Sequence, residues 1–425
     1  MDHEVVRLVF QLALILFAAK VGGEIFQRYL RLPVVLGEVA VGIVIGPFAL
    51  GGIDLPVVGH MFSNVIHGSD LTDQFSLPLS DELWAIAQIG AIILLFMAGL
   101  ETDLKLFLKY ARQATVVAIG GVVAPFALGV IAMITLGFAD GPGDVQALFV
   151  GAVLTATSIG ISVRVLGDIG KLGTPEGVTI LGAAVVDDVL GILALTVVLS
   201  LGSSEGLVAK DIGIVTAKTL GFWLTFTLVA ILLSRHISSF LVNKFKVSGA
   251  ALGLALALAF ASAGLAESFG LAMIIGAFSI GLALSGTELA KRIHDPLMSV
   301  YHALVPIFFV VTGMLVDVTQ LGGVLLLGVI ITIVAIIGKV LGSGLPSLLV
   351  GFNKRGSWRI GLGMLPRGEV ALIMAGMGIS SGIIESDIYS VVILMTLVTT
   401  AIAPPLLVVS FRDNVSGLVK FSKGK

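Results

Sequence analysis

VTILGAAVVDDVLGILALTVVL (178–199) sets two adjacent acids, Asp187 and Asp188, in the middle of a stretch that carries no other charge. A bilayer-spanning helix needs about 20 consecutive apolar residues, so this run is long enough to cross a membrane. Runs of the same kind recur along the chain. Of its 425 residues, 57% are hydrophobic and 12% charged; a soluble protein carries roughly twice that charged share. The period-2 alternation of a membrane β-barrel is absent. The expected fold class is therefore an all-α polytopic membrane protein. A net charge of −2 gives no pointer to nucleic acid. The absence of cysteine excludes disulfides, thiolate catalysis and Cys-ligated metal or iron–sulfur sites. No cofactor is called for. Met1 to Glu4 lack the basic start of a signal peptide, so the first apolar run is expected to stay in the protein. The short stretch after Phe411 is expected to hold no regulatory domain.

Apolar runs between charged and Gly/Pro breaks give about thirteen spans. They fall near 5–27, 33–50, 82–100, 112–138, 146–167, 175–202, 211–235, 248–267, 270–286, 297–316, 322–346, 358–381 and 388–410. Alternate loops collect most of the Lys and Arg, including Arg28, Arg31, Lys105, Arg112, Arg164, Lys171, Arg235, Lys354 and Arg359. The intervening loops are acidic, with Asp54, Asp70, Asp73, Asp140, Asp144, Glu205 and Glu385. The positive-inside rule then puts the N-terminus outside and the C-terminus in the cytoplasm. An odd count suggests six helices, a linker and six more, an inverted repeat. The fifth span contains LTATSIG (154–160) and the twelfth GLGMLPRGE (361–369). Both are apolar segments interrupted at corresponding positions, the best sequence pointer to a transporter binding site. Backbone groups freed by such a break at membrane depth must line a cavity or bind an ion.

Chemistry concentrates on a few residues. One ionised carboxylate at the middle of a span costs about 2.5–3.5 kcal/mol on insertion scales. Adjacent helix residues point about 100° apart, so Asp187 and Asp188 cannot share a face. One should face a cavity and the other a partner helix. A buried carboxylate that holds either a cation or a proton, and not both, is the minimum machinery of an exchanger. Lys339, in IIGKVL (336–341), should pair with a carboxylate, and Asp187 or Asp188 is the natural partner; the alternative is snorkelling to the membrane edge. Arg367 and Glu369 flank the break in the twelfth span. Their expected task is to neutralise each other or the half-helix ends, which carry about half a charge each. Thr157 and Ser158 offer hydroxyl oxygens, which hard cations favour. The alternative for either is a bond back to its own helix. Glu38 and Glu267, near helix ends, are expected to be solvated or capped.

Taken in order, LPVVLGEVAVGIVIGP (32–47), LLFMAGLETD (94–103), LTATSIGISVRVL (154–166), VVDDVLGI (185–192), IFFVVTGMLVD (307–317) and MLPRGEVAL (364–372) resemble the bacterial cation:proton antiporter superfamily, in its NapA-like sodium/proton branch. The resemblance runs over nearly the whole chain. It implies that Asp188 is the cavity-facing carboxylate that binds Na⁺ or a proton, and that Asp187 pairs with Lys339 in one state. It places Thr157 and Ser158 at an unwound crossing beside the site, with Arg367 and Glu369 at the second discontinuous helix. It implies helices 1–3 (1–100) and 8–10 (247–318) as a dimerisation scaffold and helices 4–6 (104–202) and 11–13 (321–411) as a mobile core. Helix 7 (203–240) would be the linker, followed at the end of the chain by a short cytoplasmic tail (412–425). Two acids with a lysine partner resemble the electrogenic type. The implied function is Na⁺/H⁺ exchange by alternating access in the bacterial inner membrane, serving pH homeostasis, in a homodimer. Partners would be sodium (or Li⁺ or K⁺), protons and the lipid bilayer. Potassium/proton exchange on the same scaffold is the nearest alternative. A sodium-coupled solute symporter and a cation channel stand further off. An intramembrane aspartyl protease would need its two acids on facing helices.

Overall fold

The computed structural model describes residues 2–52, 54–55, 59–60, 62, 79–202, 209–269, 271–316, 324–380, 382–413 and 415–419. Fifteen α-helices are found among the described residues. The first group is α1 (Asp2–Ile25), α2 (Val34–Ile45), α3 (Asp81–Glu101), α4 (Leu104–Thr135) and α5 (Val145–Val153). Then come α6 (Ile159–Asp168), α7 (Pro175–Gly202), α8 (Ala209–Lys244), α9 (Ala250–Ser268) and α10 (Met273–Leu284). The last are α11 (Glu288–Met314), α12 (Leu325–Leu349), α13 (Lys354–Gly363), α14 (Glu369–Ser380) and α15 (Ser386–Ser410). The β structure among the described residues is a two-residue antiparallel pair, Asp54–Leu55 with Gly59–His60. Ten helices among the described residues are long and apolar enough to cross a membrane. The protein is an all-α, multi-pass membrane protein. Asp70, Asp73, Glu205 and the chain after Val419 lie outside the described residues, as does the start of the expected linker (203–208).

Helix starts follow local chemistry. Asp103 caps α4 by accepting from the amides of Lys105 and Leu106. Asp144 does the same for Gln146 and Ala147 at α5, and Asn353 for Arg355 and Gly356 at α13. Each cap satisfies donors that a first helical turn leaves open. The breaks are equally local. Between α5 and α6, Ser158 is extended (φ −86°, ψ 99°) and its Thr-rich neighbours favour bonds off the helix. Between α13 and α14, Pro366 has no amide to donate and pushes Leu365 out of helical geometry.

Two compact units partition the chain. The first comprises Met1–Glu101, Phe222–Leu325 and Ala375–Ile393; the second comprises Thr102–Gly221, Leu326–Met374 and Leu394–Lys425. In the first, α2 and α11 touch backbone to backbone: a side chain at Gly42 would meet the Val310 carbonyl, and one at Gly313 the Val39 carbonyl. Glu38, on α2 in this unit, has no exposed surface, so of the two expectations for it, solvated or capped, the first does not hold. Its helix turns it inward, whereas a position count along the span put it near an end. In the second unit, α4 and α12 approach through Gly120 and Gly342. A Cβ on Gly342 would lie 2.6 Å from the Gly120 carbonyl and 2.7 Å from the Ala124 side chain. Small residues bring helix backbones together in membranes, where no hydrophobic effect drives association. This approach positions the site.

Candidate functional site

The site lies wholly within the second unit, on α4, α7, α12 and the two interrupted segments. Asp187 and Asp188 occupy the middle of α7. Asp187 retains 1% of its surface and Asp188 9%. Lys339 on α12 has none exposed, so it does not snorkel. Its ammonium donates to Asp187 Oδ1 at 2.8 Å, to the Thr155 carbonyl at 2.6 Å and to the Gly121 carbonyl at 2.9 Å. Those acceptors use all three N–H bonds of the lysine. One comes from α4, one from the break after α5 and one from α7. Asp188 also lies within electrostatic reach of the lysine.

The two breaks cross and hold each other by their backbones. The Ser158 amide donates to the Pro366 carbonyl at 2.8 Å. The Ser162 hydroxyl donates to the Gly363 carbonyl at 2.5 Å, and the Thr157 hydroxyl to that of Met364 at 3.4 Å. Thr157 also adjoins the Asp187 carboxyl. Carbonyls freed at the end of α13 are thus met by hydroxyls from the other break, as backbone at membrane depth requires. Arg367 is fully buried and donates through Nη1 to the carbonyls of Ala156 (2.6 Å) and Val153 (3.3 Å). These belong to the C-terminal end of α5, where the helix dipole concentrates about half a negative charge. The Arg367 carbonyl accepts in turn from the Thr400 hydroxyl of α15. Glu369 opens α14, but its side chain lies outside the described residues.

Asp187, Asp188, Lys339, Thr157, Ser158 and Arg367 therefore come together. Three contributors escape sequence reasoning: the carbonyls of Gly121 and Thr155, and the Ser162 hydroxyl. The first had a trace in the pairing of Gly120–Gly121 with the small-residue spacing Gly338, Gly342. Carbonyl direction leaves no trace. Two arginines counted as loop charges are buried in helices instead. Arg164 sits in α6 with its Nε 3.3 Å from Asp168 Oδ2. Arg359 sits in α13 against Glu176 of α7 at 2.7 Å. Arg359 finds a buried carboxylate and Arg164 an exposed one a turn further on in its own helix, and a count of basic residues per loop registers neither.

A family described as sodium/hydrogen exchanger, transmembrane, matches residues 13–411. The chain belongs to the sodium/hydrogen exchanger family. Members of this family are secondary transporters rather than enzymes. This exchanger-family chain is similar to the high-affinity Na⁺/H⁺ antiporter NhaS3 of Synechocystis sp., at 37% identity over 416 residues, 94% of this chain and 88% of the relative. It is similar to the Na⁺/H⁺-K⁺ antiporter GerN of Bacillus cereus, at 36% identity over 404 residues, 95% and 96% of the two chains. Among solved structures, the sodium proton antiporter MjNhaP1 of Methanocaldococcus jannaschii shares the fold, with a TM-score of 0.66 at 17% identity over 96% of this chain and 97% of that one.

Proposed function

We propose that this exchanger-family protein is an electrogenic Na⁺/H⁺ antiporter in which the two ions compete for Asp188. The observation that carries the proposal is the buried Lys339–Asp187 pair beside Asp188, set against two crossing broken helices. Asp187 is held by the lysine in this state. Asp188, next along the same helix, keeps 9% of its surface and is the acid we assign to the cargo ion. Thr157, which adjoins Asp187, and Ser158, at the crossing, offer oxygens of the kind sodium favours. Sodium on Asp188 expels the proton; a proton excludes sodium. Cation binding at Asp188 weakens the hold of Lys339 on Asp187, and the lysine can shed or regain a proton. That second titratable group makes the exchange electrogenic. Arg367 and Glu369 balance the ends of the half-helices.

Alternating access follows from cost. An uncompensated carboxylate in hydrocarbon is expensive, about 2.5–3.5 kcal/mol at least. The site therefore changes sides only when Asp188 carries sodium or a proton. The second unit, which bears the site, is the moving core, and the first unit is the scaffold of a homodimer in the bacterial plasma membrane. Reading α5–α6 and α13–α14 as one interrupted passage each gives thirteen crossings and the inverted repeat. It leaves the N-terminus outside and the C-terminus inside. Potassium is the second candidate cargo, favoured by the similarity to a relative named as a Na⁺/H⁺-K⁺ antiporter.

Sodium-driven proton flux in proteoliposomes tests the reading. Asp188→Asn should lower the flux by at least about a hundredfold, the loss expected when a group essential to the step is removed. Flux near wild type in Asp188→Asn would refute it. Replacing Na⁺ with Li⁺ or K⁺ in the same assay ranks the cargo ions.

A further inference from the structure

A second buried ion cluster lies away from Asp187 and Asp188, between the N-terminal end of α7 and the middle of α13. Arg359 retains 2% of its surface and Glu176 also 2%. The guanidinium makes four hydrogen bonds. Nη1 donates to Glu176 Oε1 and to the Val415 carbonyl, both at 2.7 Å; Nε donates to the Ser410 carbonyl at 2.9 Å; Nη2 meets Asp413 Oδ1 at 2.5 Å. Its face lies over the Phe411 ring, 4.5 Å from the centroid. Glu176 Oε1 accepts a second bond from the Gly417 amide at 3.0 Å.

The segment from Phe411 to Val419 is fastened independently of Arg359. The Asn353 amide donates to the Gly417 carbonyl at 2.8 Å, and the Asn353 side chain to the carbonyls of Ser416 and Leu418 at 3.1 and 3.0 Å. Val419 donates to the Gly351 carbonyl at 3.0 Å. A side chain at Gly356 would collide with the Gly417 carbonyl, and one at Gly417 with Glu176. A cavity of about 160 Å³ beside the cluster, lined by Thr174, Glu176, Arg359 and Ser416 among others, brings water to its edge.

We infer that Arg359, Glu176 and the C-terminal segment form a latch that positions the ion site at a distance. Its two anchors are the elements that build that site. α7 carries Asp187 and Asp188, and α13 ends in the carbonyls that Ser162 and Thr157 bind. Fastening the start of α7 to the middle of α13 fixes how far the acids of α7 stand from the crossing. Arg359 touches no cargo; it is a positioning residue. Four hydrogen bonds around one guanidinium, plus a backbone seam, make a joint that stays shut while the site changes sides. The inference rests on the reading of Asp188 as the cargo site.

The test compares apparent sodium affinity with maximal flux. Arg359→Lys keeps the charge but loses the planar fork. Glu176→Gln keeps an acceptor but loses the charge. Each removes at least one charge-assisted bond, so the half-saturating sodium concentration should rise about fivefold or more in either variant. Asp413→Asn, at the exposed edge, should stay within about twofold. A cluster that only supports folding would lower yield or melting temperature and leave half-saturation unchanged in the protein that survives. That result overturns the latch, and where Arg359→Lys does not accumulate, Glu176→Gln decides. A Thr174→Cys/Ser416→Cys pair, in a chain with no other cysteine, supplies the second arm. Bridging it with a cleavable bifunctional thiol reagent should leave flux within about twofold, because a joint already shut adds no new barrier. Flux that is lost on bridging and recovered on cleavage shows that the joint must open, which also overturns the inference. Asp188→Asn run in parallel separates the two claims. A dead Asp188→Asn with unmoved latch variants sinks the latch alone; an active one sinks the site.

Discussion

α7 is gripped by a buried cation at two places, and the two grips are built differently. Near its start Glu176 holds Arg359; three turns on, Asp187 holds Lys339. At 1.5 Å per residue the two carboxylates stand about 16 Å apart along the helix. Arg359 spreads its charge over a planar fork bonded to two carboxylates and two carbonyls. Lys339 is a point charge on one carboxylate and two carbonyls, with a second acid beside it. A lysine changes its protonation readily when buried. The contrast separates holding from exchanging. The arginine joint is suited to permanence and the lysine joint to being given up when a cation arrives at Asp188.

That contrast can be broken first at the cations themselves. Lys339→Ala should cost about 3–5 kcal/mol in thermal unfolding, because it leaves Asp187 buried and uncompensated. Adding Asp187→Asn should recover most of the loss, since the one carboxylate that the lysine compensates directly is then neutral. Arg359→Ala should also cost about 3–5 kcal/mol. There Glu176→Gln should recover less, because a second carboxylate, Asp413, and the Phe411 ring lose the guanidinium as well. Equal recovery at both joints would erase the distinction.

A smaller effect tests how the lysine is aimed. Gly342→Ala puts a Cβ within 2.6 Å of the Gly120 carbonyl. It should lower stability by about 1–3 kcal/mol through overpacking. The strain should move α4, and with it the Gly121 carbonyl, away from Lys339 and depress sodium-driven flux. Unchanged flux would mean that the carbonyl is not needed to hold the ammonium. The smallest effect belongs to the rim. Arg355 and Asp413 pair at 2.7 Å with nearly half of each side chain exposed. Arg355→Ala should change the melting free energy by no more than about 1 kcal/mol.

Much of this molecule is legible in its sequence. The apolar runs mark the helices because the bilayer demands length and hydrophobicity together. The Thr-rich stretch and Pro366 mark the breaks because each removes helical bonds. Asp187, Asp188 and Lys339 stand out because charge at membrane depth is costly. The site's carbonyl ligands stay hidden because a backbone oxygen has no letter of its own. Arg359 and Arg164 read as loop charges because basic residues near a span end look alike until the burial of each side chain is known. Glu38 misleads for the same reason: closeness to a span end says nothing about which way the helix turns it.

Competition at a single carboxylate is tested most directly by the sodium concentration that half-saturates flux, measured across a pH series in proteoliposomes. On the acid side, half-saturation should climb with proton concentration, about tenfold per pH unit, while saturating sodium restores the same maximal rate. Half-saturation that holds constant as the maximal rate falls would mean that protons act elsewhere, and that Asp188 is not shared between the two ions.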